Sequence, residues 1–211
     1  MMMRSVPLAL LALFHVLTSL RSVIHRRRTG RSAWVVRKAR TRAERLRSLA
    51  FTLVLLVAWV QTARAALGRI EIAPWPWLRA LGIALALLGA LLMFAAQLEL
   101  GDSWRVGIEP GARPGLVERG MYRWSRNPIF LWMLVSWIGL ALLLFDPLLG
   151  ICVATMFPGV RAQVLAEERW LLETYGEPYR AYAARVGRFV PGLGLTADSP
   201  RTSATTSRTP R

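Results

Sequence analysis

Apolar runs of bilayer length dominate this chain, and no other feature narrows its fold as far. Val6–Leu20, Leu49–Leu67, Leu78–Gln97, Pro128–Phe145 and the stretch from Pro147 into the region of Phe157 carry almost no charge. Roughly 20 helical residues cross a bilayer core, and a helix satisfies its own backbone there without water. The expected fold class is an all-α integral membrane protein with about five transmembrane helices. Composition points the same way. A chain 54% hydrophobic with a formal net charge of +16 suits a small cationic membrane protein and argues against a nucleic-acid binder. The single cysteine, Cys152, lies inside an apolar run. It excludes an intramolecular disulfide and a thiolate metal centre, and it reads as a small buried hydrophobe.

Charge placement sets the organisation. Val6–Leu20 has the length of a signal-peptide core, but only Arg4 precedes it and a basic cluster follows, with no small-residue cleavage site. It reads as a short first span. Eleven of the 28 basic residues lie from Arg21 to Arg47, beside one acid, Glu44, so this loop is expected in the cytoplasm. The Ile70–Trp77 loop and the Asp146 turn then fall outside, and the Gly101–Asn127 segment and the C-terminus inside. Val35, Ala39, Ala43, Leu46 and Ala50 recur at helical spacing among the cations of the basic loop. They read either as an amphipathic helix on anionic lipid or as a solvated charge run. Trp75 and Trp77 mark an interface. The divisions are 1–47, the first span and basic loop; 48–97, spans two and three; 98–191, spans four and five with C-terminal helices; and 192–211, a Ser-, Thr-, Pro- and Arg-rich tail expected to be disordered.

The segment Gly115–Phe130, GLVERGMYRWSRNPIF, places Tyr122, Arg123, Arg126 and Asn127 where polar sequence becomes an apolar helix. Asn127 suits a helix N-cap and Pro128 the first helical position, where a missing N–H is harmless. Asp146–Pro147 is the turn of a helical hairpin. Asn127 lies 19 residues before Asp146 and Glu167 lies 21 after it. At about 1.5 Å per residue both stand roughly 30 Å from that turn. The Arg126–Asn127 cluster and the Glu167–Glu168 pair are therefore expected at one interface, as an interhelical salt bridge or as a polar pocket. Farther on, Gly176 suits a helix end and Pro178 a helix start. Tyr175, Tyr179 and Tyr182 recur at helical spacing, a stripe that serves packing or stacking.

Taken together, these elements resemble the isoprenylcysteine carboxyl methyltransferase family of membrane enzymes, including its bacterial members. The resemblance is carried by Gly101–Arg105, Gly120–Arg123, Arg126-Asn127-Pro128, Glu167–Glu168, Tyr175–Gly176, Tyr179, Tyr182 and Arg188–Pro191, roughly the C-terminal half of the chain. It implies S-adenosylmethionine as methyl donor, bound on the cytoplasmic side of a bacterial inner membrane. It also implies a lipophilic acceptor entering from the bilayer. On this reading Arg126, Asn127 and Glu167 serve catalysis. Tyr122, Arg123, Arg126, Asn127, Glu167, Glu168, Tyr175, Tyr179 and Tyr182 hold the cofactor, and no metal takes part. Arginines can pair the donor's carboxylate, glutamates can offset its cationic groups, and the tyrosines or Trp124 can stack on adenine. The chain departs from the eukaryotic prenylcysteine enzymes by having Asn127 where they have histidine, and an amide is no base. The acceptor then stays open among carboxylate, thiol, phenol and amine. The alternatives are a phospholipid N-methyltransferase, an NADPH-dependent membrane reductase and a non-catalytic membrane adaptor.

Overall fold

Helix is the only regular structure among the described residues of the computed structural model, which are 2–32, 42–104 and 115–195. Six α-helices follow one another: α1 (Met2–Thr29), α2 (Arg42–Ala66), α3 (Pro76–Glu99), α4 (Pro128–Leu144), α5 (Pro147–Tyr175) and α6 (Glu177–Arg185). Short 3₁₀ turns lie at Gly101–Ser103 and Gly120–Arg123. Helices α1, α2, α3 and α5 are long and apolar enough to cross a bilayer, and α4 is a shorter apolar helix of 17 residues. The protein is an all-helical, multi-pass membrane protein.

Two expectations need correction. The first helix does not stop at Leu20. It continues to Thr29, because Arg21 and His25 are buried against Trp104 rather than dissolved in a loop. Arg26, Arg27 and Arg28 occupy its last turn, where cations favour the helix dipole, and Gly30, at φ +69°, ends it. Within the proposed amphipathic stretch, Val35 and Ala39 lie outside the described residues. Ala43, Leu46 and Ala50 belong to α2, which begins at Arg42 and runs directly into the second span. As the hairpin arithmetic expects, α5 continues through Pro158 to Tyr175 and carries Glu167 and Glu168.

The most extensive helix pairing is the antiparallel seam of α3 on α4. It is lined by Gly82, Ala86 and Gly89 on one side and Ser136 and Gly139 on the other. A methyl group at Gly89 would lie 2.5 Å from the Ser136 backbone nitrogen, and one at Gly139 would collide with that of Ala86. The Ser136 hydroxyl donates to the Ala86 carbonyl at 2.9 Å. Lipid tails are as apolar as leucine, so close backbone approach and interhelical hydrogen bonds drive such pairing. Helices α1, α2 and α5 close the core around Phe14, Ala58, Met93, Trp137, Leu144 and Val160. At the far end Asp146 caps α5 by accepting from the Leu149 amide at 2.9 Å, which makes the expected hairpin turn. A separate small cluster of Tyr179, Tyr182, Ala183 and Val186 packs with Leu116, Leu171, Leu172 and Tyr175.

The seam is the part of the fold most exposed to overpacking. Gly139→Ala lowers stability by about 1–3 kcal/mol. Gly150→Ala on α5, with open space around it, lowers it not at all. Unfolding of both variants in one detergent checks this, and equal stabilities would contradict the seam.

Candidate functional site

The end of α3 organises the segment that carries the candidate residues. The Glu99 carboxylate accepts from the Met121 amide at 2.7 Å. Gly120, at φ +59°, leaves it room, since a Cβ there would overlap that carboxylate. Tyr122 is buried, its hydroxyl 3.4 Å from the Ala96 carbonyl, while its own carbonyl accepts from Tyr182 Oη at 2.7 Å. Beyond it the chain pairs with the segment after α6. Ser125 and Gly187 form a parallel bridge, and the Arg126 amide donates to the Gly187 carbonyl at 2.9 Å.

Arg126, Asn127, Glu168 and Arg188 meet at this junction. Glu168 Oε1 lies 3.2 Å from Arg126 Nε and 3.1 Å from Asn127 Nδ2, and Oε2 lies 2.9 Å from Arg188 Nε. Arg126 also donates to the Ala183 carbonyl at 2.8 Å and the Gly194 carbonyl at 2.7 Å. Its side chain is only 1% exposed, so it acts as an internal staple. This contact also corrects the expected start of the tail, because Gly192–Leu195 are built into the fold by Arg126 and by the Arg188 amide bonding the Leu193 carbonyl. Residues 196–211 lie outside the described residues.

Asn127 holds the N-cap position of α4, with Pro128 following, but its side chain makes no capping bond. The amide donates instead to Glu168 and, at 3.1 Å, to the Arg188 carbonyl. The two glutamates part company, because adjacent helical residues point about 100° apart. Glu168 is buried in the junction, whereas Glu167 is half-buried and accepts from Gln163 at 2.8 Å. Arg123 and Trp124 are exposed, Trp124 at 64%, and Arg123 makes none of the ion pairs found among the described residues.

The tyrosine stripe is a packed layer. Tyr179 and Tyr182 meet edge to face with centroids 6.0 Å apart, and Tyr175 packs beside them. Burial pushes the Tyr122, Tyr179 and Tyr182 hydroxyls above their ordinary pKa, with smaller upward effects from nearby acids and, at Tyr179 and Tyr182, an opposing one from Arg126. Tyr179 Oη is buried without a hydrogen-bond partner, within electrostatic reach of Glu168, Arg126 and Arg188. Arg188 and Glu99 are the members of the junction that residue-by-residue reading passes over. Arg188 was legible only as part of a motif. Glu99, a carboxylate closing an apolar run, carried the signal of any charge at a membrane boundary. A cleft of about 420 Å³ lined by Ile70, Glu71, Leu144, Phe145 and Asp146 lies at the opposite end of the bundle. Among the described residues no three His, Cys, Asp or Glu side chains are grouped to hold a metal ion.

A family model described as phospholipid methyltransferase matches residues 77–178, just under half of the chain. The chain is 29% identical over 147 residues to the protein-S-isoprenylcysteine O-methyltransferase of Mus musculus, covering 68% of this chain and 52% of that protein. To the protein-S-isoprenylcysteine O-methyltransferase of Saccharomyces cerevisiae it is 32% identical over 114 residues, covering 53% and 48%. The chain thus spans about half the length of the curated relatives it matches. A solved structure of the eukaryotic intramembrane Ras methyltransferase, isoprenylcysteine carboxyl methyltransferase, superposes with a TM-score of 0.56 at 24% identity. That match covers 71% of this chain and 55% of the other and shows a shared fold.

The three buried tyrosines give the junction a definite response to alkali. Their hydroxyls stay protonated in the folded protein while those of the unfolded chain ionise near about pH 10. Stability is therefore complete below that pH and falls as pH rises through it. Tyrosinate absorbance is expected to appear together with unfolding. Ionisation of all four tyrosines near pH 10 in folded protein would contradict their burial.

Proposed function

We propose that this chain, which belongs to the isoprenylcysteine carboxyl methyltransferase family, transfers a methyl group from S-adenosylmethionine to a lipophilic acceptor dissolved in the bilayer. The observation that carries this reading is the buried Arg126–Asn127–Glu168–Arg188 junction at the ends of α4 and α5. The protein's groups fit the donor. Tyr179 Oη is a buried hydroxyl still lacking a partner. Half-buried Glu167 supplies negative charge toward a sulfonium or ammonium. Exposed Arg123 can pair a carboxylate, and Trp124 offers a flat face for adenine. When bound, S-adenosylmethionine supplies an electrophilic methyl group on a cationic sulfur.

The chain's own contribution is alignment and dehydration, which methyl displacement needs more than proton transfer. Arg126 acts from inside, holding the segment after α6 against the start of α4. Asn127 fixes the Glu168 carboxylate and has no basic atom to offer. Glu167 is the carboxylate with surface left to face a bound group. Orientation follows from the arginine distribution: five spans, with this junction and the C-terminus on the cytoplasmic side. The acceptor class this geometry favours is one already anionic, such as the carboxylate of a prenylated cysteine. The description of the matching family model supports a second acceptor, the amine of a phospholipid. That amine carries a proton that Asn127 cannot remove.

Purified protein in lipid nanodiscs, given labelled S-adenosylmethionine with a farnesylated N-acylcysteine or phosphatidylethanolamine, separates these. The expected product is a base-labile methyl ester, formed at a rate nearly flat from about pH 6.5 to 8, where a histidine base would titrate. Label in phosphatidylethanolamine would move the acceptor to the phospholipid class. Absence of donor binding would leave a non-catalytic adaptor. Glu167→Gln should weaken donor binding by about 1.5 kcal/mol or more, the low end for a charged hydrogen bond. Unchanged affinity in a folded variant would move the site elsewhere.

A further inference from the structure

Helix α1 lies outside the region matched by the family model, yet it places a buried arginine against the end of α3. Arg21 is 2% exposed. Its Nε donates to the Gln97 carbonyl at 3.0 Å, a terminal nitrogen donates to the Gly101 carbonyl, and its guanidinium lies 4.7 Å from the centroid of buried Trp104. Both carbonyls belong to the last turn of α3 and the residues just after it. The Gln97 carbonyl lies in the last turn, where carbonyls lack a helical N–H partner, the Gly101 carbonyl also accepts from the Trp104 amide at 3.3 Å, and a cation suits that end of the helix dipole.

The same turn carries the candidate site on its other side. The Ala96 carbonyl receives the Tyr122 hydroxyl, and the Glu99 carboxylate receives the Met121 amide. Residues 120–123 therefore hang from one face of the turn while Arg21 holds another. Four residues beyond Tyr122 the chain reaches Arg126. Two more buried polar atoms lie in this corner without hydrogen-bond partners, His25 Nδ1 and Gln97 Oε1. The corner is thus held chiefly by Arg21 and Trp104.

We propose that Arg21 is a positioning residue for the Tyr122–Asn127 segment. It acts through the α3 terminus, so that α1 is a working part of the site rather than a membrane anchor. The proposal rests on the reading of that segment as the donor site, but its structural half can be read without any ligand.

Hydrogen exchange on the full chain in detergent, followed at the Met121 and Arg126 amides, tests it in Arg21→Met and Arg21→Lys. In Arg21→Met those amides are expected to exchange about tenfold faster or more, the scale of losing charge-assisted hydrogen bonds. Amides in the middle of α4 keep their protection. Arg21→Lys, which keeps the charge and one donor but not the planar fork, falls between. Arg28→Ala, which removes an exposed ion pair to Asp102, changes nothing. S-adenosylmethionine affinity should fall in the same order. Native exchange at Met121 and Arg126 in folded Arg21→Met would overturn the proposal. If that variant does not fold, Arg21→Lys is read alone, where faster exchange supports the proposal and native exchange overturns it. Faster exchange in Arg21→Met, together with a native protein that binds no S-adenosylmethionine, would support the positioning role and reject the donor-site reading.

Discussion

One carboxylate holds the candidate site together. Glu168 projects from the end of a spanning helix into a place where its side chain is only 10% exposed. A charge there is tolerable only when paired and fully hydrogen-bonded. Its two oxygens answer that demand with Arg126 and Asn127 from the start of α4 and Arg188 from the segment after α6. Three stretches far apart in sequence become one body around it. Removing any donor leaves a buried, undercompensated charge, the costly way to break such an arrangement.

That body needs a fixed frame, and the α3–α4 seam provides it. Glycines at 82, 89 and 139 let two backbones approach more closely than any larger side chain would permit. The seam then fixes where α3 ends relative to where α4 begins. Glu99 and Ala96, at the end of α3, receive the turn that leads into Arg126. Packing in the bilayer is thereby converted into placement of polar groups at its edge.

Much of this was readable in the residues. The apolar runs, the Asp146–Pro147 turn, the Gly176 break and the shared depth of Asn127 and Glu168 all follow from period, length and turn chemistry. What could not be read depends on partners distant in sequence. Asn127 looks like a cap because local rules favour one, but Glu168 and the Arg188 carbonyl claim its amide. Glu167 and Glu168 look alike in sequence, and only the rotation of α5 sends one inward. Arg21 looks like the edge of a basic loop, and only the position of Trp104 makes it the buried end of a longer helix. The glycine seam was hidden for another reason: a glycine in an apolar run reads as apolar until its neighbour is known.

The commitment of Asn127 bears on the chemistry proposed for this site. A histidine at this position carries a ring nitrogen able to accept a proton near neutral pH. An amide whose NH₂ group is divided between a carboxylate and a carbonyl is a pure donor toward both. The nearest buried residues do not replace the missing base. The tyrosines are held neutral by burial, and Arg126 is stapled to backbone carbonyls. On the proposed methyl-transfer reading, this junction orients an acceptor and shields it from water, and Asn127 takes no proton from it. An acceptor that arrives with its own electron pair free of a proton suits that reading. A carboxylate at neutral pH meets that condition, whereas an ammonium headgroup does not.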